Sequence, residues 1–320
     1  MLVKSIHGRV IVLLMLLQLC LCTQTLIAAD QSGGETGFVS SSELVLQASS
    51  LPELKLGFTE YFRLSFLRGG DFLSEGGDLG IALGAEVSPV SLNGVAEAVW
   101  TPVAFFQLAV GGRVGSGWNI ELFDSEIYGI GLNRPDADGK AEHSGGAFDG
   151  LLWKTHIGAA LQADLAAVFP GDWHHVVTRS YHEINYKGYT RAEAGESWYF
   201  ENDDGENCNG FNYYGNLLIG YKMPIFLDFA ALLAEADRYL YNTPDRSRWG
   251  DEKVRWTFSA IFNFALTKQS GITLIAQYRT RRSYQEQNWR DLYYRNRHID
   301  NSGQFNLEFY RIVTVLTYKF

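Results

Sequence analysis

The stretch Val254-Arg-Trp256-Thr-Phe258-Ser-Ala260-Ile-Phe262-Asn-Phe264-Ala-Leu266 places an apolar or aromatic side chain at every second position. Between them stand Arg255, Thr257, Ser259 and Asn263. A period of two belongs to a β-strand whose two faces meet different surroundings, because successive side chains point to opposite sides. The pattern recurs. Ile272, Leu274, Ala276 and Tyr278 alternate with Thr273, Gln277, Arg279 and Arg281. Trp153, Ile157, Ala159, Leu161 and Leu165 alternate with Lys154, His156, Gln162 and Asp164, and Phe211, Tyr213, Leu217, Ile219 and Tyr221 with Asn212, Asn216 and Lys222. The expected fold class is therefore all-β.

Alternation alone also fits a soluble sandwich, so segment length decides between the two. Sandwich strands run about five or six residues. Most of these segments reach ten or more, the span of a tilted strand crossing a membrane, about 9–11 residues. Hydrophobic residues make up 46% and aromatics 14%, yet mean hydropathy is -0.10, which excludes a bundle of apolar helices. The most helix-like stretch, Leu217 to Ala234, is interrupted by Lys222, Pro224 and Asp228, and a central proline suits a turn between strands. Connections also divide into short ones (169–173, 223–225, 267–271) and long ones (117–149, 188–210, 237–252, 287–303). Short turns at one end and long loops at the other are the plan of a transmembrane antiparallel β-barrel. Such a barrel satisfies every backbone polar group inside lipid. Trp173, Trp256, Tyr318 and Phe320 are expected in its aromatic girdles.

The chain's ends add two signals. Lys4, His7 and Arg9 precede an apolar run from Val10 to Cys22, and Ile27-Ala28-Ala29-Asp30 supplies a small residue before a cut. This is the layout of a secretory signal peptide, residues 1–29. Large residues before Cys20 and Cys22 argue against lipidation. Removing 1–29 takes away two bases and no acid, so 27 bases become 25 against 36 acids and the net charge moves from -9 to -11. An acidic chain of this kind is expected to bind no nucleic acid. At the other end, Tyr310-Arg-Ile312-Val-Thr314-Val-Leu316-Thr-Tyr318-Lys-Phe320 alternates and stops on an aromatic ring. It resembles the terminal strand of diderm bacterial outer-membrane β-barrel proteins. The resemblance covers about ten residues and points to the porin-like barrels as a class. It implies Tyr318 and Phe320 as the assembly signal, and as partners the assembly machinery and the lipid of a bacterial outer membrane.

Eleven strands are expected at 55–67, 78–88, 90–100, 103–116, 150–168, 173–187, 211–223, 225–236, 253–266, 271–286 and 304–320. An even count requires either one more within 36–50 or a merger near Pro89 to Pro102. Twelve is the preferred count and ten the alternative. The N-terminal segment is 30–52, and the barrel spans 53–320. The terminal strand changes phase between Phe309 and Ile312, which a bulge near Phe309-Tyr310 would reconcile.

The inward, polar face carries Lys154, Arg179, Lys187, Lys222, Arg255, Arg279 and Arg281 against Asp164, Glu183 and Asp228. Such a lumen would favour anions if open; in the alternative reading these charges close in ion pairs. The solute-binding set is taken as Arg255, Arg279, Arg281, Arg179, Lys154 and Lys222. A basic cluster continues through Arg282, Arg290, Arg295, Arg297 and His298, read as a solvated loop near lipid headgroups. Trp173-His174-His175 with His182 and Glu183 does not converge on one strand face. Ser180 and His182, two apart on the lipid-side phase, have a spacing seen in outer-membrane lipid hydrolases, but no second feature supports an enzyme and none is expected. Asp136 to Glu142 and Asn202 to Glu206 lack the full ligand pattern of a calcium loop. No cofactor, metal site or nucleotide loop is expected. The leading function is a small porin-like channel for hydrophilic, anionic solutes; the alternative is a surface anchor whose long loops carry the function.

Overall fold

A computed structural model describes residues 38–51, 53–66, 70, 76–122, 125–201, 203, 205–240, 253–300 and 306–320. The expected signal peptide lies outside the described residues. In chain order the strands are β1 (Val39–Ser49), β2 (Leu54–Ser65), β3 (Asp78–Ser88), β4 (Ser91–Val103) and β5 (Phe106–Gly117). There follow β6 (Ile120–Leu122), β7 (Ser125–Ile127), β8 (Ile130–Pro135), β9 (Ala141–Ser144) and β10 (Leu152–Asp164). The remainder are β11 (Val176–Tyr189), β12 (Ser197–Phe200), β13 (Asn207–Cys208), β14 (Gly210–Lys222), β15 (Leu227–Tyr239), β16 (Arg255–Ala265), β17 (Ser270–Arg281) and β18 (Asn306–Lys319).

Twelve of these strands close into one antiparallel barrel in the order β1-β18-β17-β16-β15-β14-β11-β10-β5-β4-β3-β2. Closure comes from β1 and β18, which pair from Glu43 opposite Lys319 to Ser49 opposite Val313. The strand expected within 36–50 is thus β1. The undecided stretch is two strands, β4 and β5, joined by a tight turn at Ala104-Phe105. Pro102 is accommodated where the β4–β5 register shifts, between Trp100 and Val103, because a proline cannot donate to the ladder. The phase change in β18 is a bulge: Gln277 pairs with Arg311, while the next residue, Tyr278, pairs with Phe309. Tyr310 is the extra residue.

Registers fix which face each residue takes. In β16, Trp256, Phe258 and Phe262 are on the outer face, while Ser259 and Ile261 are buried inside. The outer surface carries large exposed hydrophobics on every wall, among them Leu83, Val110, Ile157, Ile219 and Leu232. Rings gather near strand ends. Trp153 stacks on Tyr186 and Trp256 on Phe258 at one end, while Phe226 meets Phe264, and Tyr318 meets Phe320, at the other. An apolar band between two aromatic belts is the exterior of a membrane barrel.

The interior is not uniformly polar. Leu218, Ala231, Leu233, Ile261, Ile275, Val313 and Val315 form a buried apolar cluster, with Val45, Val177 and Phe229 packed on it. These residues come from the consecutive wall β11-β14-β15-β16-β17-β18-β1. Alternation could not reveal this, because an inward Ile and an outward Ile look alike when neighbouring positions are also apolar, as in Ala260-Ile261-Phe262.

The ends differ as expected in part. Loops 118–151, 190–209, 240–254 and 282–305 leave one end, here called the cap end; the start of β1 and the end of β18 lie at the other. The division is not complete. Hairpins at 50–53 and 89–90 also turn at the cap end, and 66–77 is a longer connection at the terminal end. Between β10 and β11 the chain makes a short 3-10 turn, Leu165–Ala167, capped by the Asp164 side chain on Ala166 N–H at 2.9 Å.

Candidate functional site

The cap-end loops fold on one another. β13, β12, β8 and β9 form a sheet of their own, drawing on loops 118–151 and 190–209. The sheet packs on Leu152 and Tyr189 at the barrel rim through buried Ile130, Leu132 and Trp198. Gly131 is required here: a Cβ would stand 2.2 Å from Ser144 O and 2.3 Å from the Tyr199 hydroxyl. The His143 ring stacks on Tyr128 at 4.3 Å and meets Tyr199 edge-on at 4.9 Å. Burial there pushes the imidazole below its ordinary value.

Two glutamates fasten the cap. Glu201, held at a left-handed φ of 53°, accepts hydrogen bonds from Ser91 Oγ at 2.6 Å and Lys55 Nζ at 3.3 Å. It thereby ties loop 190–209 to β2 and β4. Lys55 also pairs with Glu86 at 3.3 Å, which in turn binds Arg113 at 2.7 Å. Glu206 ties the same loop to the opposite wall. Arg297 and Arg282 donate to it at 2.8 and 3.0 Å, and the Tyr284 hydroxyl at 3.2 Å. Burial alone would raise the Glu206 carboxyl, but Arg282 and Arg297 overcome that and hold it below the usual carboxylate range. The basic run 279–298, expected as a solvated loop, is therefore folded inward in part, with Arg297 only 3% exposed. Sequence could not show this, because its acidic partner lies in a different loop.

Beneath the cap is a cavity of about 300 Å³, lined by Arg255, Arg279, Arg281 and Arg282 with Glu206, Glu235 and Asp237. Three of the six expected solute-binding residues, Arg255, Arg279 and Arg281, meet here. Each is ion-paired. Arg255 binds Asp237 on β15, and Arg279 and Arg281 share Glu308 on β18 at 3.1 and 2.7 Å. The faces of their aromatic neighbours are also occupied, with Arg279 over Tyr310 and Arg281 over Trp289. The other three lie apart. Lys154 pairs with Glu183 at 2.8 Å, Arg179 sits over the Tyr181 ring, and Lys222 is at the terminal end, beside His175. Elsewhere inside, Arg311 binds Glu53, and His175 binds Asp164 at 2.7 Å. Among the described residues, no cluster of His, Cys, Asp and Glu could hold a metal ion. Asn202 and Asp204 of the second acidic string lie outside them.

No family model and no curated protein matches the chain. Among solved structures it is similar to the beta domain of the Bordetella autotransporter BrkA, at 11% identity and a TM-score of 0.41. That match covers 88% of this chain and 98% of the other. It is also similar to an anion-selective porin from Comamonas acidovorans, at 9% identity and a TM-score of 0.27, covering 88% and 97%. Scores this low say nothing about function. The closed order of twelve antiparallel strands decides the class. The architecture is that of a transmembrane antiparallel β-barrel.

Proposed function

We propose that this barrel resides in a bacterial outer membrane and serves as a mount for its structured cap, a surface anchor whose working face is the loop sheet, rather than an open diffusion pore. The observation that carries this reading is the burial of the inward apolar cluster, where Val313, Ile275 and Ile261 are 0–1% exposed. A water-filled channel along that wall would leave them wet. The paired arginines agree: a guanidinium already neutralised by a carboxylate offers little field to a passing anion. The porin-like reading keeps one point in its favour, the Glu97–His156 pair on the β4–β10 wall at 3.6 Å, whose side chains are partly accessible.

Planar-bilayer recording separates the two. Purified, folded protein is expected to give no steady conductance, at low or high salt. Stable steps whose reversal potential in a salt gradient favours anions would reinstate the channel. Double replacement of Arg279 and Arg281 by Glu should then shift the selectivity toward cations.

A further inference from the structure

The outer surface of the barrel carries a polar group that membrane packing does not require. On β11, the Ser180 hydroxyl is 3.0 Å from His182 Nε2. On β14, the Tyr213 hydroxyl is 2.7 Å from His182 Nδ1. All three lie on the lipid-facing phase, among exposed Ile157, Leu161, Ile184, Leu217 and Ile219. A polar, ionisable group amid hydrocarbon is costly and marks a functional site by default. Room for the chain of hydrogen bonds is made by Gly215, directly opposite His182. A Cβ at Gly215 would stand 2.5 Å from the Tyr213 hydroxyl and 3.1 Å from His182 Nδ1. The Ser42–Glu60 contact is also on the outer face, but it has no imidazole between hydroxyl and orienting group to carry a proton from the nucleophile to a leaving group.

The order of atoms is that of an activated nucleophile. With Nδ1–H donated to the Tyr213 oxygen, Nε2 is left as acceptor for the Ser180 proton. A neutral phenol as the orienting group suits a low-dielectric surface, where a third-member carboxylate would be costly to desolvate. A fourth residue completes the arrangement. Arg238 on β15 pairs with Tyr213 in register, on the same outer face and toward the cap end. Its Nε is buried with no hydrogen-bond partner among the described residues. His182 is four residues from Tyr186 of the cap-end belt, about 13 Å along the strand. Ser180 aligns through Leu217 with Ala234, four residues and about 13 Å from Arg238, so an anionic lipid held at Arg238 brings an ester to Ser180 only where it is free to slide below the interface.

We propose that Ser180, His182, Tyr213 and Arg238 form a lipid-facing hydrolase site for acyl esters of anionic membrane lipids. Ser180 Oγ bonds to the ester carbonyl carbon while its proton passes to His182 Nε2. The carbon–oxygen bond to the lipid alcohol breaks, and that alkoxide takes the proton from His182. Water then attacks the acyl-serine, gives its proton to His182, and the fatty acid leaves as Ser180 recovers a proton. Tyr213 is a positioning residue, and Arg238 binds the headgroup. This goes beyond the anchor reading and is independent of conductance.

The test uses the folded full barrel in mixed micelles of detergent and phosphatidylglycerol, where esters can reach mid-barrel depth. Fatty-acid release is expected, as is labelling by a long-chain alkyl fluorophosphonate. Ser180→Ala should abolish both. His182→Ala should slow release by about 10²–10⁴-fold, the usual contribution of a general base. Tyr213→Phe should lower kcat and move the pH profile, leaving KM unchanged, and Arg238→Gln should raise KM for phosphatidylglycerol, leaving kcat unchanged. Each variant is first checked for the gel-mobility shift of a folded barrel. Absence of both release and labelling in the folded parent protein would overturn the proposal. So would release that survives Ser180→Ala.

Discussion

At the scale of single residues, the face a side chain occupies decides what it can be replaced with. Phe262 points outward and is 42% exposed, while its neighbour Asn263 points in and donates to Asp228 at 2.6 Å. Phe262→Arg is expected to destabilise the barrel in lipid vesicles by about 2–4 kcal/mol, the cost of Arg at mid-membrane on the lipid face. Asn263→Arg places its charge beside Asp228 and should cost clearly less. Denaturant titration of both refolded variants reads the difference, and equal losses would mean the β16 register is wrong. Glu206 is the corresponding residue of the cap. Its carboxyl is held low in the folded state, so its stabilisation is complete above the ordinary carboxylate range and is lost only as pH falls through the folded value. Hydrogen-exchange protection of loops 190–209 and 282–300, taken relative to the intrinsic rate at each pH, should therefore stay high at neutral and mildly acidic pH and fall below that range. Glu206→Gln leaves two buried arginines facing a neutral amide. It should loosen both loops at all pH values, by about 3–5 kcal/mol in the manner of a broken buried pair. Exchange unaltered in that variant would show that the loops are held by other contacts.

At the scale of elements, the terminal strand closes the barrel and was legible from alternation alone, down to the bulge at Tyr310. Phe320 N–H donates to Ser42 O at 2.9 Å, so the last residue stitches the seam as well as exposing its ring. We expect deletion of Phe320 to lower the yield of protein whose gel mobility changes on boiling, with unfolded chain accumulating in the periplasm. Normal yield and mobility would remove Phe320 from assembly. Eleven of the twelve barrel strands could be read because each crosses an environment that differs across its faces, and the period of two records that difference; β1 was legible only as one of two ways to an even count. The cap sheet could not. β8 and β12 are six and four residues long, and they are buried on contacts between loops far apart in sequence, such as Asn133 with Gly205. Charge-bearing positions were legible, but their pairings were not. Arg279 and Glu308 become neighbours only once β17 and β18 are in register. Nor did spacing alone reveal Tyr213, which joins Ser180 and His182 from the adjacent strand.

At the scale of the whole molecule, one pattern explains the exterior, the interior and the ends. Apolar outer faces with aromatic belts meet lipid, an inner wall packs on itself, and cap-end loops fold into a lid tied down by Glu201 and Glu206. The claim on which the rest depends is that β16 crosses a bilayer with even-numbered residues facing the lipid chains. Single cysteines from Arg255 to Ala265, with buried Cys208 replaced, can each carry a fluorophore in vesicles containing nitroxide-labelled lipid. Quenching strong at 256, 258, 260, 262 and 264, deepest near 260, and weak at 257, 259, 261 and 263 is the expected result. Quenching that is uniform along the segment, absent, or strongest at the odd positions would contradict a membrane barrel with this register.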